Sequence, residues 1–73
     1  MMTHHAREFV LEFAAETAEL GVEVLEARVI RAMSPDDAAR EAAFSGWPQG
    51  ARVCRIADPD GRELASVARI LIA

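Results

Sequence analysis

The stretch from Ser34 to Pro48 carries both the start and the stop signals of one short helix. Ser34 suits the N-cap, where a hydroxyl accepts an otherwise orphaned backbone N–H. Pro35 fits the first helical position, which needs no N–H, and Asp36 and Asp37 set negative charge against the positive end of the helix dipole. Asp37 also stands where a short capping box would reach back to the cap. Helix formers follow from Ala38 to Ala43, and Gly46 with Trp47-Pro48 reads as a stop, the glycine taking the left-handed position past the cap. The pattern predicts a helix over 35–45.

Beyond Gly50 the pattern turns to strands. Arg52 to Ile56 and Leu64 to Ile72 are rich in β-branched residues and contain neither glycine nor proline. Asp58-Pro59-Asp60-Gly61 between them matches a type I turn that closes a hairpin, with a bulge at the glycine. Upstream, Val22, Val24, Val29 and Ile30 predict a strand over 23–32. Residues 6–20 fit two periods. As a strand, Phe9, Leu11 and Phe13 share one face. As a helix, Glu8, Glu12, Glu16, Glu19, Glu23 and Glu26 share one wedge. That wedge runs on into the next strand, so the strand reading is preferred, with a turn over Thr17 to Gly21. The expected fold is α+β, a single domain over residues 1–73 in the order ββαββ. It has a four-stranded, mostly antiparallel sheet with one helix on one face, and residues 1–5 form a disordered tail. The alternative is αβαββ, with residues 4–20 helical.

This architecture carries a mismatch. A sheet covered by one helix should be apolar on one face and polar on the other. Here Leu64, Ala68, Ile70 and Ile72 alternate with Ala65, Val67 and Leu71. Val24 and Ile30 alternate with Leu25, Ala27 and Val29, and Val53 opposes Cys54 and Ile56. One alanine-rich helix cannot cover both sides. Ala27, Val29, Val53, Val67 and Leu71 are therefore the expected interface of a homodimer, since an exposed patch of several hundred Å² is more than most monomers tolerate. The other two arrangements are a monomer whose own N-terminal helix lies on that face and a complex with a different protein.

Composition narrows the function classes. The chain has 73 residues, 52% of them hydrophobic and 27% charged, which is the balance of a globular domain rather than of a disordered segment. A chain this short has a thin core and needs a disulfide, a metal or a partner. Cys54 is the only cysteine, which excludes an intrachain disulfide and fits a reducing, cytoplasmic setting. The start has no basic and apolar leader pattern, and no apolar run is long enough to span a membrane. His4 and His5 are adjacent and lack a third ligand nearby in sequence, so no metal or other cofactor is expected. Net charge is −4, which opposes general attraction to phosphate or anionic lipid. Arg52, Arg55, Arg62 and Arg69 make the second hairpin locally basic, and a small nucleic-acid-associated regulator is the alternative function they suggest. The six glutamates read as a solvated acidic face. Cys54 reads as a buried structural thiol, because Arg52 and Arg55 would point to the opposite face of its strand. Trp47 is the candidate contact for a partner, or else a lid over the helix end. No constellation of nucleophile and base is evident, so the leading expectation is a non-enzymatic protein-interaction module acting as a homodimer.

Overall fold

A computed structural model of the chain describes residues 5–17 and 21–69. Its elements are β1 (Arg7–Thr17), β2 (Gly21–Ala32), α1 (Pro35–Phe44), β3 (Val53–Ala57) and β4 (Glu63–Ala68). They form one sheet in the order β2-β1-β3-β4 in which every pair of neighbours is antiparallel. The ββαββ fold is thus as expected, and the αβαββ alternative is overturned. Residues 7–17 are a strand because Phe9, Leu11 and Phe13 all reach one buried face, which a period of two allows and a helix would not. The proposed tail over 1–5 falls outside the described residues except for His5, which is exposed.

The register defines the two faces. Phe9 stands opposite Ile30, Leu11 opposite Arg28 and Ile56, Phe13 opposite Glu26 and Cys54, and Cys54 opposite Val67. Facing residues of a ladder share a side, so this is the side on which the helix lies. Ala38 and Ala42, one helical turn apart, are its buried residues, and with Phe9, Leu11, Phe13, Ala32, Ala51, Cys54 and Ile56 they make the core. Alanine at both positions lets the helix approach closely. It also limits the area covered: a helix of 10 residues is about 15 Å long, whereas the 11 residues of β1 extend about 36 Å. The far end of the first hairpin therefore projects beyond the helix.

Both ends of α1 are held by specific bonds. The Asp37 N–H donates to Ser34 Oγ at 3.1 Å and the Ala38 N–H to the Ser34 carbonyl at 3.0 Å. The C-terminus departs from expectation. Ser45 is the cap, extended at φ −74°, and the glycines with positive φ are Gly21, Gly50 and Gly61, so Gly46 does not take the left-handed position. Its task falls to Trp47, whose indole N–H donates to the Ala42 carbonyl at 2.7 Å, and to Ser45, whose hydroxyl donates to the Glu41 carbonyl at 2.9 Å. In the second hairpin, Asp58 Oδ1 accepts from the Asp60 and Arg62 N–H groups while Gly61 adopts φ +92°. The register shift lies farther along, where Ile56 faces Ala65 and Ala57 faces Glu63, leaving Leu64 as the extra residue.

Ser34→Ala should lower the stability of the domain by about 1 kcal/mol through loss of the cap. A urea denaturation series read by circular dichroism measures it.

Candidate functional site: the uncovered face and edge of the sheet

A second bulge decides which apolar residues are left uncovered. Phe13 faces Glu26 but Ala14 faces Val24, so Leu25 is an extra residue in β2. One inserted residue reverses the sides of everything past it. Val24 and Val22 therefore join Ala27 and Val29 on the back of the sheet, although strict alternation had grouped Val24 with Ile30. Ile30 packs on the helix side, against the core.

The back face is apolar along β2 and ionic at its centre. Val22, Val24 and Val29 are exposed, Val29 at 64%, and Val10 and Val53 are half-buried beside them. Arg55 bonds Glu12 at 3.0 Å and lies 3.6 Å from Glu63, so three charges from three strands are joined in one row. The second distance is an ion-pair separation too long for a hydrogen bond, and the shielded Nε of Arg55 has no hydrogen-bond partner among the described residues. Glu8 stands opposite Arg31 in the same sheet. Of the glutamates of the first strand, Glu12 is thus paired with an arginine, Glu8 only stands opposite one, and Glu16 stands opposite Val22.

Of the five expected interface residues, the structure brings three together. Ala27, Val29 and Val53 lie on the back face. Val67 does not: it faces Cys54 and packs against the core under the helix, because the second turn sets Ala68, not Val67, opposite Val53. Leu71 lies outside the described residues. Sequence reasoning passed over Val22, Val24 and Phe44. The first two were hidden by the bulge. Phe44, 87% exposed at the last position of α1, could have been found on a helical wheel, where it falls about 160° from the buried Ala42.

Trp47 is half-buried and acts as a lid. Its ring meets Phe13 edge-on at 5.3 Å, and Arg28 lies 4.5 Å over the same phenyl ring while donating to the Gly46 carbonyl at 2.7 Å. Arg28 also pairs with Glu26, and chiefly that hydrogen bond holds the Glu26 carboxyl below its ordinary pKa. Beyond Trp47 a hollow of about 310 Å³ opens between Ala43, Ser45, Val67, Ala68 and Arg69. The four arginines of the second hairpin do not form one surface. Arg55 is paired on the back, and Arg52 and Arg69 are neighbours at one end, with the Arg69 N–H donating to the Arg52 carbonyl. Arg62 is in the turn at the other end.

Among the described residues no three His, Cys, Asp or Glu side chains converge as metal ligands, and no helix is long and apolar enough to cross a membrane. No family model matches the chain, and neither the curated proteins nor the solved structures yielded a match.

Cys54 is fully buried, and burial is the main cause that pushes its thiol up to about 11, with nearby Arg28 pulling the other way and Glu12 adding to the rise. The unfolded chain gives up this proton near pH 9, so stability should hold below that value and fall as pH rises from about 9 to about 11, by roughly 2 kcal/mol. Denaturation midpoints across that range measure it, and Cys54→Ala should remove this component of the alkaline loss.

Proposed function

We propose that this chain is a non-enzymatic protein-interaction module that works as a homodimer assembled through its sheet. The observation that carries the reading is the concentration of large apolar side chains beyond the reach of the helix, on the back of one strand: Val22, Val24 and Val29 are all exposed, and all belong to β2. Scattered exposed residues are ordinary on a soluble protein, whereas a contiguous row marks a surface meant for burial. A second copy is the economical cover, because it adds to a domain of 7.9 kDa the buried area that a core of two phenylalanines, one leucine, one isoleucine, one cysteine and a few alanines supplies only sparingly. Phe44 and the hollow beside Trp47 stay available on the opposite side for a further protein.

Light scattering after gel filtration should give about 16 kDa, twice the 7.9 kDa chain. Two substitutions separate assembly from folding. Val29→Arg should keep the folded circular dichroism spectrum while yielding a 7.9 kDa species with a lower melting temperature, since the burial supplied by the second copy is lost. Val67→Arg, which forces a charge under the helix, should cost about 2–3 kcal/mol or unfold the chain. A wild-type chain of monomer mass at micromolar concentration rejects the reading.

A further inference from the structure

On its back, the first hairpin is a ladder of five rows, and the register, with the bulge at Leu25 included, sets which residues share each row. From one end to the other they are Glu8 with Arg31, Val10 with Val29, Glu12 with Ala27, Ala14 with Val24, and Glu16 with Val22. The relief differs between the two strands. Val22, Val24 and Val29 stand out exposed from β2, whereas on β1 Val10 is half-buried and Ala14 fully buried. Valine ridges on one strand thus run beside lower ground on the other.

Charge limits how a second copy can lie on this face. β1 directs Glu8, Glu12 and Glu16 to the back and no base, so laying it over its own copy with the ends aligned, in either direction, sets acids against acids. Laying β1 over β3 of the second copy puts β2 over β4, and there Val29, the most exposed of the three valines, meets Glu63 of its own row. Laying β1 over β2 avoids both conflicts.

We infer that two copies stack their first hairpins back to back, about a two-fold axis that runs along the strands between β1 and β2. The inference rests on the homodimer reading and specifies its face and axis. Each row then meets its own copy with the two residues exchanged. Val10 faces Val29 of the second copy, and the Val24 ridge settles over Ala14, the lowest point of β1. At one end Glu8 faces Arg31 of the second copy. Arg31 donates to the Ala6 carbonyl at 3.3 Å and has further N–H groups left for that carboxylate. Glu12 faces Ala27, and its carboxylate is drawn away from the axis toward Arg55, so the ion pairs of Arg55 stay at the margin in water. Glu16 and Val22 lie at the rim, where the hairpin ends. Sheets stacked in this way lie about 10 Å apart with their strands aligned within about 30°.

Two measurements on the full chain test this stack. Nitroxide labels at Arg7→Cys and, in a separate chain, at Glu23→Cys sit near opposite ends of the hairpin at exposed positions on the helix side, and Cys54 is buried out of reach of the reagent. An axis along the strands keeps copies of either residue about 11 Å apart at Cα, so pulsed electron paramagnetic resonance should read short and nearly equal separations at both sites. The two sites lie about 27 Å apart along the strands, so any axis that reverses the strands makes their two separations add to about 54 Å or more. Charge exchange is the second measure. Glu8→Arg and Arg31→Glu should each raise the dimer dissociation constant about tenfold, and a mixture of the two should form a heterodimer about tenfold tighter than either variant makes with itself. Misfolded variants would not recover on mixing. A dimer whose two label separations are long or unequal, or whose variants show no recovery in the mixture, overturns the stack and leaves the homodimer standing. A monomer overturns both.

Discussion

The row Phe9, Leu11 and Phe13 governs this molecule. These three side chains occupy the middle of the sheet, on one of the two strands that pair on both sides, and all are buried. Ile30 and Arg28 align with them from one neighbour, Cys54 and Ile56 from the other, and the helix is drawn onto that side because the largest apolar area is there. Ala38 and Ala42 then fit because nothing larger would let the helix down onto phenyl rings already filling the layer. Trp47 and Arg28 complete the arrangement by covering the outer part of Phe13, one edge-on and the other by its guanidinium over the ring.

A small helix has a cost on the opposite side of the balance. About 15 Å of helix lies over strands more than twice as long, and the first hairpin is left with uncovered apolar residues on its outer strand. The sheet handles its charges differently. Glu12, Arg55 and Glu63 meet across three strands, and Glu26 pairs with Arg28. Along β2, exposed hydrocarbon and an open strand edge are left uncovered.

Much of the fold was legible in residues 34–48 and 58–61, where each signal has its own local mechanism: a hydroxyl cap, a proline that needs no partner, an Asx turn, a glycine with positive φ. The strand at 7–17 was legible too, because the alternation of large apolar residues outweighed the helical spacing of the glutamates. The candidate surface was read less well. Val24 was assigned to the wrong side because a bulge is a property of the pairing between two strands, and Leu25 carries no local mark of it. Val67 was grouped with Val53 because the relative side of residues on different strands is set by the turn and its register. Gly46 looked like a left-handed cap, yet the helix end found its donors in Trp47 and Ser45 instead.

By itself, then, the chain's sequence determined the order of its elements, the ends of its one helix and the excess of apolar residues over what that helix can shelter, since each depends on neighbours a few positions away or on simple amounts. Only the tertiary structure decided which of those residues share a face and which are left in water. That choice is made where strands meet, by two inserted leucines and one turn, and a single residue of offset there exchanges inside for outside.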